Sequence, residues 1–229
     1  MFIFKMTEED LAFLPPYFGK TEFPGLKTAA PAGRKAVKPY RDEEQILREW
    51  KERRWLVRED GAETWSFCEE LDFMMRILAE PSGCFICRNA RGGVLWGAFF
   101  HRDAIVLMDY LKEERQYRLT WVSSIPYAVG SLYNLMSGMF PEKNRSGYGM
   151  AGSRELNILC RTEGTEIQDV LCEDGSGWYS FRTGAFGEPE KAWTFTDVFN
   201  IFSLKMMGLH SCPVREVRGK RSVQYRPAC

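Results

Sequence analysis

Histidine is almost missing from this sequence: His101 and His210 are the two side chains whose ordinary titration falls near neutral pH. General acid–base chemistry is thereby left with few candidates. Net charge is missing too, since 31 lysines and arginines balance 31 aspartates and glutamates. No overall field therefore draws the chain to nucleic acid or to an anionic membrane. No apolar run approaches the roughly 18–20 residues that cross a bilayer, so no membrane insertion is expected. Near the start of the sequence, Glu8, Glu9 and Asp10 interrupt the apolar core a secretion signal would need. Phosphate-cradling glycine motifs are also lacking. Arg91-Gly92-Gly93 separates two expected strands instead of leading from a strand into a helix.

Cysteine is present, but in a pattern that argues against disulfides. Seven residues, at 68, 84, 87, 160, 172, 212 and 229, are an odd number scattered through apolar segments. Such thiols read as small, reduced hydrophobes and point to a cytoplasmic protein. Cys84-Phe85-Ile86-Cys87 is a CxxC, but it falls in an expected strand, where residues three apart point to opposite faces and the sulfurs diverge. A redox CxxC would open a helix, and no second CxxC exists to complete a zinc site. His210 with Cys212 has the makings of a nucleophile pair but no orienting third group in view. The reading is of a chain with no catalytic site, metal or cofactor.

What remains is a pattern of elements. Thr7 is placed to cap a short helix from Glu8 to about Leu14, stopped by Pro15 and Pro16. Residues 19–41, rich in proline, glycine and basic side chains, read as coil. Asp42 opens a helix with an Ile46, Leu47 and Trp50 stripe. A second helix is expected over 64–80, with Phe67, Leu71, Met74, Met75 and Leu78 on one face and Pro81 as its stop. Apolar runs at 84–87, 94–100 and 104–111, separated by short turns, then predict an antiparallel meander whose second and third strands are buried on both faces. Gln116 to Val122 alternates as a half-exposed fourth strand. Ser123 or Ser124 caps a helix with Ile125, Val129, Leu132, Met136 and Met139 on one face.

After a small, polar stretch at 141–153, the sequence repeats the theme. Strands are expected at 155–161, 167–172, 178–182 and 192–195, followed by a Thr196-capped helix to Met207. The fold class is therefore α+β, an antiparallel or mixed sheet flanked by helices. Its two strands-then-helix halves form one pseudo-duplicated domain over 1–229. The final helix is apolar on two sides. Val198, Phe199, Phe202 and Met206 make one face, and Ile201, Leu204 and Met207 the other. It is either sandwiched between layers or shows one side to a partner. The tail from 213 to 229 carries Arg215, Arg218, Lys220, Arg221 and Arg226 against Glu216, an RNA- or acidic-partner feature if it is not simply a solvated end.

The order of pieces resembles the EspG-type cytosolic chaperones of type VII (ESX) secretion. The likeness rests on Asp174-Gly175-Ser176-Gly177-Trp178-Tyr179, then Ala192-Trp193-Thr194-Phe195-Thr196-Asp197 and a terminal helix. At the other end it rests on MTEEDLAFL, Asp60-Gly61 and the Glu80-Pro81 stop. The resemblance implies a chaperone that keeps a small helical-hairpin secretion substrate soluble, gripping it by a sheet loop and C-terminal helices. Carried over by position, the loop is His101, Arg102 and Asp103, and the helix face is Ile201, Leu204 and Met207. The chain is shorter than that family between its two halves. Three functions follow in order: a secretion chaperone or adaptor, an RNA- or acidic-partner-binding module acting through the tail, and a thiol enzyme. Nucleic acid is disfavoured as a partner by the zero net charge.

Overall fold

A computed structural model describes residues 2–24, 26, 42–58, 63–89, 93–102, 104–139, 154–162, 165–173, 178–182, 190–193, 199–200, 203–204 and 206–208. The expected coil over 27–41, the stretch at 141–153 and the basic tail lie outside them, as do Asp103 and Ile201.

The strand signals assemble into one nine-stranded antiparallel sheet. Its strands are β1 (Ile3–Met6), β4 (Gly83–Asn89), β5 (Val94–His101), β6 (Ala104–Leu111), β7 (Gln116–Val122), β8 (Arg154–Thr162), β9 (Thr165–Glu173), β10 (Trp178–Arg182) and β11 (Glu190–Trp193). Their order is β1-β7-β6-β5-β4-β8-β9-β10-β11. Each half of the chain is thus a four-stranded meander running outward from the middle, and the two halves meet through their first strands. There Phe85 pairs with Cys160 and Cys87 with Ile158. The pairing at that seam is antiparallel.

One face of the sheet is covered by the N-terminal elements. These are α1 (Glu8–Phe13), a 3₁₀ turn (Pro15–Phe18), α2 (Glu43–Glu52), the short pair β2 (Leu56–Val57) and β3 (Ser66–Phe67), and α3 (Glu69–Ala79). Thr7 caps α1 through a capping box with Asp10, and the Asp42 side chain accepts from the Gln45 amide to cap α2. Trp50, Leu71, Met74, Met75 and Leu78 pack against Cys84, Ile86, Phe99, Val106 and Met108. The other face carries Phe85, Cys87, Trp96, Phe100, Ile105 and Leu107, covered by α4 (Ile125–Met139) and by the final helix, helical at 199–200, 203–204 and 206–208. Trp96 Nε1 donates to Ser131 Oγ at 3.0 Å, a polar tie between sheet and α4.

Two expectations need correction, the second in part. The helix predicted over 64–80 starts at Glu69, because Ser66 and Phe67 are drawn into pairing with Val57 and Leu56. Phe67 is buried as a strand residue, not as part of a helical stripe. The half-exposed fourth strand holds only in part: on its polar side Gln116 and Arg118 are partly exposed, whereas Thr120 is buried. Of the two sheet types expected, the antiparallel one is found: every pairing among the described strands is antiparallel. The Cys84 and Cys87 side chains do diverge, one into each core layer.

Candidate functional site

The final helix exposes two of the three residues of its expected outer stripe, the third, Ile201, lying outside the described residues. Its inner side is fixed by Met206, fully buried against the sheet, and by Phe199, whose ring meets Tyr133 of α4 edge-on at 5.2 Å. Ser203 Oγ donates to the Phe199 carbonyl at 2.8 Å, one turn back along the helix. A residue two positions before Met206 and one just after it must then face away, and they do: Leu204 is 68% exposed and Met207 50%. Large apolar side chains held this far into water by a well-anchored helix are what a docking surface requires.

The His101–Asp103 turn is built differently. β5 ends at His101 and β6 begins at Ala104, the two residues pairing across the strands. Arg102 takes a left-handed backbone (φ 52°) to close so tight a connection. Alternation along β5 puts His101 on the side of Phe99, under α3, where the Glu80 backbone is its hydrogen-bonding neighbour. Its Nδ1 is buried and has no hydrogen-bond partner. Burial above all, helped by the Arg102 charge, pushes the imidazole below its usual titration range, against a smaller opposing pull from Glu80.

The two parts expected to form one site therefore attach to opposite faces of the sheet. Leu204 and Met207 belong to the layer of α4, and His101 to the layer of α3. What the sequence reading did not single out is that α4 extends the exposed surface, with Tyr127 and Tyr133 each about half exposed. The signal was present for Tyr127, which lies opposite the Ile125, Val129, Leu132 stripe; Tyr133 borders that stripe and is half exposed beside Phe199.

Groups suited to chemistry elsewhere are tied down. Burial pushes the Cys87 thiol far up, with Cys160 beside it adding to the effect, and Cys68 is raised by partial burial with the Glu70 and Asp72 charges contributing. Tyr17, donating to Glu43 Oε1 at 3.4 Å, is pushed up to about 12 by burial and by that carboxylate. Among the described residues no cluster of three or more histidine, cysteine or acidic side chains is placed to hold a metal ion, and no helix is long and apolar enough to cross a membrane. Compared with protein-family models and with curated proteins, the sequence matches none.

Proposed function

We propose that the chain is a non-enzymatic binding protein of the cytoplasm, a chaperone or adaptor that holds a small helical client on the outer side of its final helix. The observation that carries this reading is the exposure of Leu204 and Met207 next to the fully buried Met206. A flexible thioether and a leucine one turn apart can adapt to the apolar stripe of a guest helix. The resemblance to EspG-type chaperones supplies the class of client, a helical hairpin destined for type VII secretion. The low thiol reactivity expected of Cys68 and Cys87 gives no support to a thiol enzyme.

The test begins with recovery and mass-spectrometric identification of partners from the native host. Each purified partner is then titrated against the wild type and Leu204→Asp. A buried interface anchor is worth on the order of 1–3 kcal/mol, so the substitution should weaken binding about tenfold or more. Equal affinity for both proteins, or a partner without helical structure, would remove the reading. An RNA recovered in a strongly salt-sensitive complex would favour the tail-directed alternative.

A further inference from the structure

Helix α4 runs for 15 residues without one charged side chain, although its outer surface meets water at Tyr127, Gly130 and Tyr133. Solvated protein surfaces are ordinarily about a quarter to a third charged. Loss of charge together with tyrosine and methionine is the composition of an interface centre. The final helix beside α4 continues the pattern with Leu204 and Met207. In the sequence of 198–209 the one charge is Lys205. Between the two tyrosines, at three-residue spacing, Gly130 leaves the middle of the surface flat, since a Cβ there would meet nothing within 4 Å.

We propose that this two-helix face, whose exposed described residues carry no charge, docks a second copy of the chain, forming a weak two-fold dimer that a client displaces. The displacement rests on the function proposed above; the dimer does not. The electrostatic match for a surface without charge is another without charge, and this face supplies its own complement when related by a two-fold axis. A net charge of zero puts no long-range repulsion between copies. An axis passing near Gly130 brings the α4 backbones together and sets the tyrosines of one copy around those of the other.

Size decides the strength of this contact. Four large side chains, each exposing roughly 100 Å², offer about 400 Å² per copy, half of the ~800 Å² per partner of a stable complex. The dimer therefore opens readily, as a surface that must also receive a client requires.

Sedimentation velocity of the full chain, without client, from about 2 to about 200 µM should show a reversible monomer–dimer equilibrium with a dissociation constant on the order of tens of micromolar. Gly130→Arg is the decisive variant. Arginine is the better helix former and has open space at this position, so folding is spared while a charge enters the centre of the patch. It should weaken self-association at least about tenfold without lowering the melting temperature. Glu113→Lys, in the turn between β6 and β7, should dimerise as the wild type does. A wild type that stays monomeric throughout, or a Gly130→Arg protein that dimerises as tightly, overturns the proposal. Monomeric protein that still binds a purified client through Leu204 would sink the dimer and leave the client reading standing. A Gly130-dependent dimer that no client displaces would sustain the dimer and sink its proposed competition.

Discussion

Trp50 Nε1 donates to Asp10 Oδ1 at 2.9 Å, a hydrogen bond buried between α2 and α1. The other carboxylate oxygen accepts from the Thr7 amide at 2.8 Å and the Thr7 hydroxyl at 2.9 Å, and Arg53 lies 3.4 Å away. One fully buried side chain thus closes the α1 capping box and fastens α1 to α2.

Asp10→Ala removes the shared acceptor and leaves the Trp50 and Thr7 donors without it. The expected loss is about 3 kcal/mol in urea unfolding, because each stranded buried donor costs about 1–3 kcal/mol. Asp10→Asn keeps one carbonyl oxygen for Trp50 and should cost clearly less. Trp50→Phe combined with Asp10→Ala should be less destabilising than the sum of the two singles, the sign of direct coupling. Additive losses would show that the bond carries no stability.

His101 makes stability depend on pH with a definite sign. Its folded-state titration lies below the unfolded value of about 6.5, so the folded chain binds fewer protons than the unfolded chain between those two values. Stability is full above pH 6.5 and falls as acid is added, until the folded imidazole itself charges. The groups facing it are Glu80 and Arg102, with Lys20 held on Glu80 at 2.9 Å. Melting curves of wild type and His101→Gln should coincide in shape above pH 7 and diverge below 6.5, the variant losing less. Parallel profiles would refute this assignment.

The final helix offers a paired test. Leu204→Asp should leave stability within about 0.5 kcal/mol of wild type, as for an exposed position. Met206→Ala, two residues later, should cost about 2–5 kcal/mol by opening a cavity beneath the helix. If Leu204→Asp unfolds the protein, the helix is sandwiched and the proposed surface is lost.

Alkylation mapped by mass spectrometry should separate the cysteines. Cys84, Cys87 and Cys160, buried on the central strands, should label only after denaturation. Half-buried Cys68 should label slowly in the folded chain, because its raised titration keeps the thiolate scarce. Rapid native labelling of Cys87 would mean that the β4–β8 seam opens.

Long apolar runs were legible because local pattern decides them. The meander from 83 to 122 and the buried stripe Ile46, Leu47 and Trp50 needed no knowledge of distant residues. The pairing of Ile3 with Thr120 was not legible, since a four-residue strand has little period of its own and its partner lies over a hundred positions away. Phe67 sits four residues before Leu71, a helical spacing that concealed its strand pairing with Leu56. Helical phase alone put Leu204 on the side away from Met206, but whether that side was covered or exposed was set by packing. That His101 faces the other side of the sheet required knowing which layer each helix joins, which is set by packing and not by any local pattern.

The seam of the two halves also shapes how the protein comes into being. During synthesis β4 to β7 and their covering helices emerge before Arg154–Thr162, so the first half can fold while β4 is still an open edge. That edge is apolar on both sides, from Cys84 to Cys87, and a bare strand of this kind recruits any neighbouring chain. A nascent chain stalled or cut near residue 150 should therefore aggregate, even though every element it contains is native. The second half acts in this sense as the built-in guard of the first.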